Sequence, residues 1–137
     1  MLKKEPVCYT PRMTEADVIA HWRKGARDSL LSARLLYEGG QYASVLFHCH
    51  LAVEKALKVV FMEEFKKEAP MTHDLPRIAA ELGRTWTEEE RKLFADLTGY
   101  AVAARYDDPA WAEHEATLEK AELWISRVDL LLSHLLQ

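Results

Sequence analysis

Residues 42–67 read YASVLFHCHLAVEKALKVVFMEEFKK, a long run without Gly or Pro. Val45, Cys49, Ala52, Ala56, Val59 and Val60 recur at the three- and four-residue steps of an α-helix, and Leu46, Val53, Leu57 and Phe61 widen the stripe. An apolar face that broad suits a helix packed between several neighbours, not one lying on a surface. The spacing therefore predicts a helix from about Tyr42 to Lys67 at the centre of an all-α fold, with Pro70 in the stretch 68–72 breaking it.

On the N-terminal side, Gly39-Gly40 closes an earlier helix, since glycine accepts the left-handed conformation that ends one. That helix is capped by Thr14 with Glu15 and Asp17 in its first turn, and carries Val18, Trp22, Ala26, Ser29, Ala33 and Leu36 on one face. Residues 1–13, with Pro6 and Pro11, read as an irregular leader, leaving 14–137 as one domain.

On the C-terminal side a short helix is expected from Asp74 to Leu82, with Asp74 as cap, Pro76 in the first turn and Gly83 closing it. Thr87 with Glu88, Glu89 and Glu90 forms a capping-box pattern before Leu93, Phe94, Leu97 and Tyr100. This helix should end near Arg105, where Asp108-Pro109 gives a cap and a first-position proline for a fifth helix. The fifth is expected to take the rest of the chain, with Leu118, Ala121, Trp124, Val128, Leu131 and Leu135 as its stripe. No segment alternates as a strand does. Short loops favour antiparallel neighbours, so the expected architecture is an up-and-down bundle of about five helices, four long and one short.

A chain of 137 residues can bury one core unaided. Its net charge of −4 does not advertise a broad basic face for nucleic acid. Cys8 and Cys49 do not make a disulfide framework and read as reduced thiols, Cys49 in the core. The charged start has no apolar run behind it, so neither a signal peptide nor a membrane span is expected, and the localisation implied is cytoplasmic.

Three segments resemble the HEPN family (higher eukaryotes and prokaryotes nucleotide-binding). Gly40 to Lys58 is similar to the family's second helix, where a Tyr, a Phe-His pair and an Ala-Glu-Lys-Ala-Leu-Lys run recur. Thr72-His73-Asp74-Leu75 is similar to its entry into a short middle helix, and Ala104-Arg105-Tyr106-Asp107-Asp108-Pro109 to its Ala-Arg-Tyr-Pro turn before the last long helix. Two departures stand out. His50-Leu51 occupies the place where the family often has two glutamines, and Asp107 stands where the turn proline would be.

The resemblance implies a nucleotide-binding or interaction protein. It would be a homodimer and the partner of a minimal nucleotidyltransferase in a two-component system of the toxin–antitoxin kind, with no cofactor beyond a nucleotide ligand. Active ribonucleases of this family pair an Arg with a His after four to six residues, the imidazole moving a proton and the guanidinium steadying phosphate charge. Arg105 is at the corresponding place, but the next His is His114, eight residues intervening with Pro109 among them. Binding is therefore expected over RNA cleavage by Arg105 and His114, and RNA is a partner only under that alternative. Arg127 and His134 match the spacing numerically, but inside an amphipathic helix, as rim side chains.

Candidate anion-binding residues are His48, Lys55, Lys58, His73, Arg105 and Tyr106. His48, Lys55 and Lys58 share a flank of the second helix and could grip a phosphate; alternatively Lys55 pairs with a carboxylate while its stem covers apolar surface. His50 and Glu54, four apart, could pair along the helix. His73 could bond locally at the start of the third helix or pack against the second. Arg105 and Tyr106 could contact a nucleotide through guanidinium and ring stacking, or Tyr106 could plug the bundle end while Arg105 pairs with Asp107 or Asp108. Trp22, Trp86, Trp111 and Trp124 read as core or interface aromatics. The six histidines have no zinc-ligand spacing, so no metal is expected.

Overall fold

The structure is a computed structural model that describes residues 13–137. The leader and Cys8 fall, but for Met13, outside the described residues. Six helices follow in order: α1 (Glu15–Glu38), α2 (Tyr42–Phe65), α3 (Leu75–Ala80), α4 (Glu88–Arg105), α5 (Pro109–Glu115) and α6 (Leu118–Leu135). The described residues contain no strand.

The caps sit where the sequence puts them. Thr14 accepts from the Asp17 N–H while the Asp17 carboxylate accepts from the Thr14 N–H, and Thr87 and Glu90 make the same reciprocal box. Asp74 and Asp108 cap α3 and α5 through their carboxylates. Gly39 caps α1, and Gly40 takes φ +73°, a conformation that costs a residue with a Cβ.

α2 is the central element, touching α1, α3, α4 and α6. Val45, Leu46, Cys49, Ala52, Val53, Ala56, Leu57 and Val59 are completely buried. Burial pushes the Cys49 thiol up to about 12, so it stays protonated and behaves as a small apolar side chain. α1 runs antiparallel to α2, with Lys55 reaching Ser29 and Lys58 reaching Trp22. α1 is antiparallel to α6 as well: the Arg23 guanidinium donates to the Leu136 carbonyl at one end, and Arg34 pairs with Asp129 further along. Trp124 is buried; Trp22, Trp86 and Trp111 pack against the core half-covered.

Three boundaries differ from the sequence reading. α3 ends at Ala80 with Glu81 as its C-cap, short of Leu82, and Gly83 donates its N–H to Glu64 without closing the helix. α2 stops at Phe65, because Lys66 adopts φ 56° and its N–H turns back to Met62, before Pro70 is reached. The expected fifth helix is two helices. Ala116 leaves helical geometry and the Thr117 hydroxyl accepts from the Lys120 N–H, restarting the chain as α6. Lys120 also reaches back to Glu115, which receives the Tyr100 hydroxyl, so the break is tied to α4. Leu118 consequently lies exposed, while the other stripe residues of α6 are buried.

Candidate site around Glu54

His50, Glu54 and Lys58 stand at steps of four on α2 and make one row. All three are buried, their side chains 3%, 6% and 8% exposed. Lys58 Nζ donates to Glu54 Oε2 at 2.9 Å and lies 5.6 Å from the centre of the Trp22 ring. A buried charge needs such partners, because leaving water costs several kcal/mol per ion.

From the segment before α3, His73 reaches the same carboxylate, its Nδ1–H donating at 3.0 Å. The His73 carbonyl in turn accepts the Nε2–H of His50 at 2.8 Å. One residue thus ties the α2–α3 connection to α2 twice, through ring and backbone. His50 donates through Nε2, so in the neutral ring Nδ1 is an acceptor. It faces Glu54 Oε1 at 3.8 Å, acceptor to acceptor, without a hydrogen bond among the described residues. Burial holds the His50 imidazole below its ordinary value. The positive charges of His73 and Arg105 push the same way, against the His73 carbonyl and Glu54.

Arg105, the last residue of α4, thereby joins the neighbourhood of His50 and His73. It is exposed and makes no ion pair or hydrogen bond among the described residues, neither to Asp107 nor to Asp108. The ring of Tyr106 is not a plug: the residue is 74% exposed. Asp107 follows with φ 54°, which proline cannot adopt, so this turn is built differently from one with proline at that position.

The remaining candidates fall elsewhere. Among the described residues Lys55 has no carboxylate partner; its Nζ donates to Ser29 Oγ at 3.0 Å, and its stem crosses α1 at Gly25, where a Cβ would come within 3.3 Å of Lys55 Cδ. Lys58 is the lysine that pairs with a carboxylate. His48 Nδ1–H donates to the Ser44 carbonyl of its own helix. The phosphate-gripping flank of His48, Lys55 and Lys58 is therefore occupied by intramolecular contacts. His114 is exposed on α5, and Arg127 lies over the Trp124 ring at 5.1 Å, with His134 exposed further along α6. Among the described residues no three His, Cys, Asp or Glu side chains converge on a possible metal position, and no helix is long and apolar enough to cross a membrane.

A family model for the HEPN domain matches residues 19–136. The chain belongs to the HEPN family. Among solved structures, the crystal structure of TT1696 from Thermus thermophilus superposes on this HEPN chain with a TM-score of 0.74, at 23% identity, covering 85% of this chain and 94% of that one. At that identity the likeness speaks for the fold alone. No curated protein matches the HEPN chain in a sequence comparison.

Glu54 is the centre that sequence reading missed. It was visible only as a partner for His50, whereas its ligands are Lys58, one turn on, and His73, nineteen residues away in sequence. The row His50–Glu54–Lys58, three polar residues at steps of four beside the broad apolar stripe of α2, is the signal that could have found it.

Proposed function

We propose that this HEPN protein is a binding and interaction module that takes a nucleotide at the end of α4, with Arg105 contacting phosphate and Tyr106 offering its ring to the base. The observation that carries this reading is the state of Arg105 and Tyr106. The guanidinium is exposed and uncommitted among the described residues, and an exposed aromatic ring stands beside it. His73, with its side chain 70% exposed, adds a second donor near His50, its ring already oriented by Glu54. Lys55 and Lys58 hold the scaffold in place; they do not touch the ligand.

The same reading makes the chain the partner of a minimal nucleotidyltransferase in a two-component system of the toxin–antitoxin kind, acting in the cytoplasm. Co-expression with the enzyme encoded beside it, followed by native mass measurement, tests this. A stable complex, or retained nucleotide released on denaturation, supports it; a chain that purifies alone and empty contradicts it.

A second reading, metal-independent RNA cleavage by Arg105 and His114, draws on the exposure of both residues on consecutive helices. RNA cleavage lost in both Arg105→Ala and His114→Ala would establish it. If neither binding nor cleavage is found, the chain is a structural helical adaptor.

A further inference from the structure

We infer that Nε2 of His73 is a phosphoryl-acceptor site: it takes a phosphoryl group from an N-phosphoryl donor, a compound with a P–N bond, while Glu54 holds the opposite side of the ring. This goes beyond the nucleotide reading, which rests on Arg105 and Tyr106 and involves no covalent bond, and either can fail without the other.

The Glu54 carboxylate, paired with Lys58, offers only acceptors. Nδ1 of His73 faces both of its oxygens, at 3.1 and 3.0 Å, so the ring proton is on Nδ1 and the lone pair of the neutral ring is on Nε2. The Glu54 side chain is 6% exposed and that of His73 70% exposed. The ring therefore bridges interior and solvent, its proton inward and its nucleophilic nitrogen on the open side. A free imidazole keeps its proton mostly on Nε2. A buried carboxylate behind Nδ1 reverses that preference and steadies the positive charge the ring gains as Nε2 forms a bond. The hydrogen bond from His50 Nε2–H to the His73 carbonyl fixes the backbone beneath the ring. A ring so open is badly placed for chemistry that needs water excluded, but a donor carried by another molecule can reach it.

Among the described residues no other histidine is held this way. His50 is buried and donates through Nε2, and His48 gives its Nδ1–H to the neutral Ser44 carbonyl. His21, His114 and His134 are exposed. Charge selects the electrophile. Lys58 offsets Glu54, the Asp74 carboxylate is engaged as the cap of α3, and the charge of Arg105 reaches His50, whose ring is bonded to the His73 backbone. An anionic phosphoryl group suits that surface.

In the transfer the Nε2 lone pair attacks phosphorus and the P–N bond of the donor breaks, its electron pair leaving with the donor nitrogen. With hydrogen phosphoramidate that nitrogen already carries the extra proton, so ammonia departs and nothing is oxidised or reduced. The Nδ1 proton stays on the ring, and Glu54 lies against the cation formed.

The test is incubation of the purified full chain with potassium phosphoramidate near neutral pH, followed by intact mass and by peptide mapping in alkali, where phosphohistidine survives. His73 should be phosphorylated, at Nε2 by phosphorus NMR, about tenfold faster than His21, His114 and His134 of the same molecule. Proton–nitrogen correlation spectra of the unmodified chain should place the His73 ring proton on Nδ1. Glu54→Gln should slow His73 to the rate of the three exposed histidines and leave theirs unchanged; should it not fold, the double variant E54Q/K58M, which removes both buried charges, takes its place. His73→Gln should abolish the fast phase alone. Phosphorylation of His73 no faster than of the exposed three, a ring proton on Nε2, or a rate indifferent to loss of the Glu54 carboxylate in a folded variant overturns the inference.

Discussion

Lys58 and Glu54, one turn apart on α2, form a 2.9 Å ion pair in which both side chains are more than nine-tenths buried. Neither member can be removed without leaving the other charged in the interior. Glu54→Ala is expected to destabilise the fold by about 3–5 kcal/mol, whereas replacing both residues together with apolar ones of similar size should cost far less. A double-mutant cycle by urea unfolding reads this directly. A double loss equal to the sum of the losses in the Glu54 and Lys58 single variants would mean the pair is not coupled.

His50 makes stability depend on pH. Its folded-state value lies below the ordinary 6.5, so below that point the unfolded chain binds more protons than the native one. The contribution of His50 is fully present above about pH 6.5 and is lost progressively as pH falls from there toward the lower folded value. His50→Gln, which keeps a donor for the His73 carbonyl and cannot titrate, should flatten that part of the profile. Unfolding midpoints at several pH values between about 7.5 and 5 compare the two proteins; parallel profiles would contradict the assignment.

Asp107 holds φ 54° at the turn between α4 and α5. Asp107→Gly should leave stability unchanged or raise it by up to about 1 kcal/mol, since glycine adopts that conformation freely. Asp107→Pro should lower it by about 2 kcal/mol or more, because the ring fixes φ near −65°. Thermal unfolding distinguishes the two.

Thr117 separates α5 from α6 by capping the second. Thr117→Ala should cost about 1 kcal/mol, while Thr117→Asp, which keeps a cap oxygen, should be close to neutral. An alanine variant as stable as the wild type would show that the contacts of Glu115, and not the cap, set the break.

Much of the fold was legible because local chemistry determines it. The cap at Thr14, the box at Thr87, the cap at Asp108 and the stripe from Val45 to Phe61 each need only a few neighbouring residues to be read. The division between α5 and α6 was hidden because Thr117 has Lys120 where a capping box would have Glu or Gln, and because the apolar period runs on through Leu118. At the candidate site, the Arg105 and Tyr106 positions were legible as a motif. Their exposure was not, since a pairing of Arg105 with Asp107 or Asp108 reads equally well along the chain and is removed only by the turn geometry. Glu54 could not be assigned from sequence because His73 is brought to it by the path of the α2–α3 connection.

The central claim is nucleotide binding through Arg105 and Tyr106, and isothermal titration of the purified chain with ATP, GTP and AMP tests it most directly. The account predicts saturable heat with at least one of them, at a dissociation constant in the micromolar range, weakened about tenfold or more by Arg105→Ala with the melting temperature unchanged. No heat from any of the three at up to about 1 mM, or binding that survives both Arg105→Ala and Tyr106→Ala undiminished, would contradict it.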